Sequence, residues 1–462
     1  MPRKNTSLES CLDCRKRLIL SKNVSQRVSV KAELRWPPGM ASNLRLSAQV
    51  SHFEHANFKN NETETAPVIR TGLKHCLLLG LACTQHIALA ANLTVGVLGL
   101  EDDARYRPRR LEQNYPGHPG GRPLDAATLA VDETAMEMDA AGHKLVVKNF
   151  MAASSADLPK ALAQLKAARV QYVLLDLPDA DLQTVLAGAA TALGPASLFN
   201  IGSGADVLRG SGCAANLLHT YPSEAMRSDA LAQYLAARSW NQALVLAGPR
   251  APDKLQLEAW MRAAKRYGVK TTASTTFKLS TDPRERELSN VRLLTKDKGH
   301  DVVVVVDSDG EFARGVPFNT QWPRPVLGAN GLTALAWHPQ WDLNGGPQLS
   351  RRFMRAAHRP MTGQDWATWA AVKAIVAALS ERPKATVAEQ LQLLRSGQVA
   401  LDGFKGPRLT FRAWDGQLRQ PVFLAQGDGV AELAPFDGVL HPTEVLDTLG
   451  VDEKESACRQ RP

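Results

Sequence analysis

Downstream of Asn92, short apolar runs alternate with amphipathic stretches, the pattern of an α/β chain. Leu93–Leu98 is predicted as a strand and Leu124–Ala141 as a helix. His143–Phe150 is predicted as a strand, and Ala156–Arg169 as a helix whose Leu158, Leu162 and Leu165 share a face. Strand Tyr172–Leu177, helix Asp179–Leu193 and strand Ser197–Ile201 follow, and Ala215–Tyr221 crosses to a second series. There Ser223 can cap helix Glu224–Arg238, because its hydroxyl accepts an otherwise unpaired backbone N–H. Strand Gln242–Ala247, helix Asp253–Tyr267, strand Thr271–Lys278, a helix near Glu285–Thr295 and strand Asp301–Asp307 complete the series. Five consecutive valines, 302–306, require a strand buried on both faces, as in a parallel sheet. Pro325–Asn330 is predicted to cross back. Helices are expected over Gln348–Ala357, Gly363–Ser380 and Ala385–Ser396, and strands over Arg408–Arg412 and Gln420–Ala425. The expected architecture is therefore two parallel-sheet lobes with a hinge and a cleft between them. Residues 92–218 with 332–410 form one lobe, 219–331 with 411–435 the other, and 436–462 a partly loose tail.

The stretch from Val68 to Ala91 has the three parts of a secretory signal: basic Arg70 and Lys74, an apolar run, and small Ala88 and Ala90 before a cleavage point. The apolar run is too short, and too broken by Gln85 and His86, to span a bilayer. Residues 1–67 are read as an upstream extension without fixed structure, 68–91 as the signal peptide, and the exported protein as periplasmic. Gly80-Leu-Ala-Cys83 is a faint lipoprotein box, a weaker expectation than plain cleavage. Charge supports the division. Residues 1–91 carry 13 Lys+Arg against 6 Asp+Glu, and the remaining residues 42 against 40. The near-neutral downstream part excludes a nucleic-acid binder, which needs a basic stripe on its folded surface. Cys11-Leu-Asp-Cys14 lacks a second ligand pair, so no zinc site is expected. Downstream only Cys213 and Cys458 remain, and the polar surroundings of Cys458 argue against their pairing.

No catalytic signature is present: no complete GxGxxG, no P-loop lysine, no GxSxG, no HExxH. The chain is expected to be no enzyme and to hold no cofactor or metal. Ligands of open α/β sheets bind beyond the carboxyl ends of the strands, which selects Glu101, Asp102, Asp176, Asn200 and Ser203 in one lobe. Tyr221 at the crossing joins them, with Arg250, Asp307 and Asp309 in the other lobe. The set is mildly acidic and suits a cationic or hydroxyl-rich ligand. Trp337, just after a crossing, is the expected stacking platform at the cleft mouth, whereas Trp366 and Trp369, three apart on one helix, are expected in the core.

The C-terminal third carries the most specific signals: Val305–Phe312, Pro323–Leu332, Gln348–Phe353, Phe404–Arg412, Trp414–Pro421, His441 and Leu446–Gly450. On these residues the chain from Asn92 to about Asp437 resembles the type I periplasmic-binding-protein fold of branched-chain amino-acid ABC transporters. More closely, it is similar to substrate-binding proteins of pyrroloquinoline-quinone-dependent (PQQ-dependent) alcohol dehydrogenase systems. The resemblance implies a monomeric protein that delivers a small-molecule ligand to an ABC permease without spanning the membrane. Its alternative is a ligand sensor or accessory protein of a quinoprotein dehydrogenase. One departure argues against an amino-acid ligand. Where amino-acid binders place a hydroxyl-rich loop, Asp176-Leu-Pro-Asp179 offers none and Asn200–Ser203 only one.

Overall fold

The computed structural model describes residues 91–459. The expected upstream extension and export signal lie outside the described residues apart from Ala91, as do residues 460–462.

The first lobe runs β1 (Ala91–Leu100), α1 (Pro108–Gln113), α2 (Leu124–Glu133), α3 (Ala135–Ala140), β2 (His143–Ala152), α4 (Leu158–Ala167), β3 (Tyr172–Asp176), α5 (Asp179–Leu193), β4 (Ser197–Asn200) and β5 (Leu217–His219). Its five strands are all parallel, in the order β2-β1-β3-β4-β5. The two-residue period of the strands feeds two cores. Val95, Val97, Leu174 and Phe199 face one, packed with α2. Leu98, Val173, Leu175 and Leu198 face the other, packed with α4 and α5. Two expectations change here. The helix predicted over Leu124–Ala141 breaks at Thr134, whose hydroxyl donates to the carbonyls of Ala130 (2.8 Å) and Val131 (3.2 Å), a back-bond that bends helices. The crossing predicted over 215–221 contains β5, in register on β4.

The second lobe runs α6 (Glu224–Ala237), β6 (Gln242–Ala247), α7 (Ala251–Arg266), β7 (Lys270–Thr276), α8 (Val291–Leu294), β8 (Val302–Val306), α9 (Val316–Asn319) and β9 (Val326–Gly328), with parallel order β7-β6-β8-β9. Ser223 caps α6, its Oγ accepting from Met226 N at 3.1 Å. The valine strand has both faces buried: Val302, Val304 and Val306 enter the core of α6 and α7, Val303 and Val305 the opposite one with Phe312.

The chain returns through β10 (Thr333–Leu335), α10 (Gly346–Ala357), α11 (Gly363–Glu381), α12 (Val387–Arg395), β11 (Leu401–Asp402), β12 (Arg408–Leu409), β13 (Val422–Gln426) and β14 (Gly429–Ala434). Strands β10-β13-β14 form a small antiparallel sheet between the lobes. Alternate residues of β13 enter different lobes: Phe423 and Ala425 join the core of α2 and α11, Val422 and Leu424 the core of α6 and α7. Buried Arg209 stitches the crossings together, donating to Tyr221 O (2.7 Å) and Gln417 Oε1 (2.9 Å).

The tail is not loose. Asp447 accepts from Arg412 Nε (2.7 Å) and Arg419 Nε (2.9 Å), Gly450 N donates to Asp229 Oδ2 (2.7 Å), and Trp414 Nε1 donates to Val451 O (3.3 Å). Cys458, 1 % exposed, forms a disulfide with Cys213 in the first lobe. Burial, not the local polarity of the tail, decides that pairing.

Candidate ligand cleft

In both doubly wound sheets the strand order reverses beside the first strand, and loops diverge there to leave a crevice. The loops after β1, β3 and β4 face those after β6 and β8 across a cleft of ≈ 700 Å³, the size of a small-molecule site. Among the residues expected at the site, Tyr221, Arg250 and Asp309 line this cleft. Asp307 lines an adjoining cavity of ≈ 150 Å³, together with Trp260 and Arg227. Its oxygens already accept from Ala313 N (2.9 Å) and Asp309 N (3.2 Å), shaping the loop after β8. Burial raises the pKa of Asp307, against those backbone bonds.

The remaining expected residues fall elsewhere. Glu101 and Asp102 are exposed, Asp102 pairing with Arg107 at 3.1 Å. The buried acid of that loop is Asp103, which holds Arg105 at 2.7 Å. Asp176 is 1 % exposed and sits behind the cleft wall. It accepts from Tyr106 Oη (2.7 Å), Gln364 Nε2 (2.7 Å) and Arg105 Nη2 (3.0 Å), and Arg105 and Gln364 are themselves wall residues. Burial raises its pKa, opposed chiefly by Arg105. Asn200 is buried and folds its own loop, accepting from Ser203 N (2.9 Å) and donating to His219 Nδ1 (3.0 Å). Ser203 Oγ donates to Asp179 Oδ1 at 2.5 Å. Trp337 is not at the cleft mouth: it is 2 % exposed, stacked 6.4 Å from Trp366 and edge-on to Phe423.

Apart from Arg250, the arginines of the cleft were not among the residues expected there. Arg105, Arg107, Arg109, Arg110, Arg227 and Arg250 line the cleft against Asp179, Glu224, Asp309 and Glu311. Glu224 is consumed by Arg227 (2.7 Å), and Asp309 is shared by Arg110 of the first lobe (3.1 Å) and Arg250 of the second (2.6 Å). The wall is thus cationic, not acidic. The signal was available in the Glu101–Arg110 run, whose four arginines directly follow the first strand.

The segment after α1 reaches across the cleft. Tyr115 is 5 % exposed and packs on Gly310, which has φ +77°; a Cβ there would lie 3.1 Å from the ring. Arg110 Nη2 donates to His118 Nδ1 at 3.3 Å, so the imidazole must accept and be neutral. Burial, with Arg110 and Arg227 nearby, lowers the His118 pKa to about 4. Below its ordinary pKa of about 6.5 the unfolded chain takes up a proton that the native state refuses until about pH 4. Stability contributed by neutral His118 is therefore complete above about pH 6.5 and falls between those values. Melting curves from pH 7.5 to 4.5 should show a shallower loss in His118→Gln than in the wild type, and parallel curves would reject this.

No protein-family model matches the chain, and no curated protein matches it. Solved structures do. A leucine-, isoleucine-, valine-, threonine- and alanine-binding protein from Brucella ovis, in a closed conformation, matches with TM-score 0.62 at 13% identity, covering 81% of this chain and 100% of its own. The fold is that of the type I periplasmic binding proteins. A solute-binding protein of an ABC transporter from R. palustris, in complex with benzoate, matches at TM-score 0.56 and 12% identity over 80% of this chain and 100% of that one. An amino-acid ABC transporter substrate-binding protein from Pseudomonas fluorescens matches at 0.59 and 14%, with the same coverage. Among the described residues no group of three or more His, Cys, Asp or Glu is placed to hold a metal, and no helix is long and apolar enough to cross a membrane.

Proposed function

We propose that this protein is a periplasmic solute-binding protein that closes its lobes on a small anionic solute, a carboxylate, and presents it to an ABC permease. One observation carries the reading: arginines from opposite lobes, Arg110 and Arg250, converge on the single carboxylate of Asp309 inside an arginine-rich cleft. A ligand favours closure only through contacts it gains in the closed state, and a carboxylate placed between those guanidiniums gains them from both sides. The disulfide supports an oxidising compartment. Benzoate in one neighbour and the amino acids named for the Brucella ovis protein support a carboxylate-bearing solute. The link to PQQ-dependent alcohol oxidation rests on the sequence resemblance, and a carboxylate is the end product of oxidising a primary alcohol.

Thermal-shift titration with benzoate, 3,4-dihydroxybenzoate, short carboxylates, leucine, alcohols and polyamines tests this. A carboxylate at about 100 times its Kd should add about 2.7 kcal/mol of stability. Arg110→Gln and Arg250→Gln should each weaken it about tenfold or more, the loss of a charge-assisted hydrogen bond. Stabilisation by polyamines or alcohols with none from any carboxylate would overturn the anion reading.

A further inference from the structure

The carboxylate that bridges the lobes belongs to the protein itself. Asp309 Oδ1 lies 3.1 Å from Arg110 Nη1 of the first lobe, and Asp309 Oδ2 accepts from Arg250 Nη2 of the second at 2.6 Å. One oxygen for each guanidinium is the arrangement that a solute carboxylate would take between the same two arginines. The Arg110 and Asp309 side chains are largely enclosed, 18 % and 22 % exposed, so dissolved ions screen this pair less than a surface pair. Each partner is held within its own lobe. Asp309 N donates to Asp307 Oδ1 at 3.2 Å, and Gly310 O accepts from Asn330 Nδ2 at 3.0 Å. Arg110 Nη1 donates to Gln113 Oε1 at 3.4 Å, and its guanidinium carbon stands 4.9 Å from the centre of the Tyr115 ring, which packs on Gly310. Asp309 and Gly310 thus meet the first lobe at adjacent positions.

Two guanidiniums brought together across a cleft repel one another. The Asp309 carboxylate cancels that repulsion and lets the lobes meet around an empty site. The same charge opposes a solute: an incoming carboxylate must displace Asp309 or crowd a second anion against it. Apparent affinity falls with the fraction of molecules whose arginines are free to engage the solute. We infer that Asp309 is an internal competitor for the solute's carboxylate and the latch that closes the empty lobes. It is no ligand to the solute; it sets how strongly an anion must bind in order to enter. The inference rests on the anion reading of the cleft and goes beyond it, because one acid of the site acts against binding. It also separates Asp309 from Arg110. Loss of either one frees the lobes, but only loss of the acid improves binding.

Asp309→Asn keeps the shape and an acceptor oxygen and removes the charge. Small-angle X-ray scattering without solute should give a larger radius of gyration for Asp309→Asn and for Arg110→Gln than for the wild type. Raising NaCl from about 20 to about 500 mM should expand the wild type and expand neither variant. Calorimetry with benzoate should show binding about three- to tenfold tighter than wild type in Asp309→Asn and about tenfold weaker in Arg110→Gln. The opposite signs distinguish a competitor from a contact to the solute. Benzoate bound by Asp309→Asn no more tightly than by the wild type overturns the competitor and leaves the anion reading standing. Scattering needs no solute, so an empty Asp309→Asn as compact as the wild type overturns the latch whether or not any carboxylate binds. Should neither benzoate nor any other carboxylate of the thermal-shift series bind the wild type or Asp309→Asn, the anion reading falls and the competitor with it.

Discussion

Replacing Asp447 by alanine is expected to destabilise the protein by about 3–5 kcal/mol, the cost of leaving a buried charge without its partner. Arg412 and Asp447 are each 1 % exposed, and the guanidinium also donates to Leu449 O at 2.6 Å and Leu446 O at 3.2 Å. With the carboxylate gone, the nearest acid to Arg412 is Asp415, at 3.8 Å. The penalty comes from the stranded cation more than from the lost pair. Removing the buried charges together, as in Arg412→Met with Asp415→Asn and Asp447→Leu, should therefore cost less than Asp447→Ala alone. Urea unfolding at neutral pH measures both, provided that the dependence on denaturant is unchanged. A loss below about 1 kcal/mol in the single variant would show that water reaches Arg412 and that the network is not closed.

Cutting the disulfide by Cys213→Ser should cost about 2–4 kcal/mol. The bond joins residues 245 apart in sequence, and loop-closure arguments give longer loops the larger effect, although residual structure in the unfolded chain erodes it. Cys213→Ser, Cys458→Ser and the wild type in reductant should melt at the same lowered temperature, and reductant should not move either variant. If reductant leaves the wild-type melt unchanged, the bond does not form in solution.

The strands whose burial is two-sided were legible because their composition leaves no alternative. Five valines cannot face water, and the helix 179–193 and the strand 242–247 fall where their periodicity puts them. Short β10 and β14 were not, since Thr333–Leu335 and Gly429–Ala434 owe their conformation to β13, far off in sequence for β10. The order of the tail likewise comes from partners at Arg412, Asp229 and Cys213. In the cleft, topology alone pointed to the loops bearing Tyr221, Arg250 and Asp309. It could not say which acid of Glu101-Asp-Asp103 turns inward, because that depends on where Arg105 lies. Nor could it show that Asp176 would be enclosed by Tyr106, Gln364 and Arg105. Trp337 misled because a tryptophan after a crossing reads alike whether it faces solvent or, as here, another tryptophan.

The tail touches both lobes: residues 448–450 bond to α6 and α7 through Gln233, Tyr267 and Asp229, and Cys458 is bonded to Cys213. It thus adds a covalently closed span to the chain segments that pass between the lobes. On the proposed closing of the lobes, a span tied at both ends limits how far they part, so less motional freedom is given up when they shut. Apparent affinity rises with the fraction of molecules already able to engage the solute. On the proposed solute-binding role, breaking the Cys213–Cys458 bond would weaken solute binding while leaving every residue of the cleft in place.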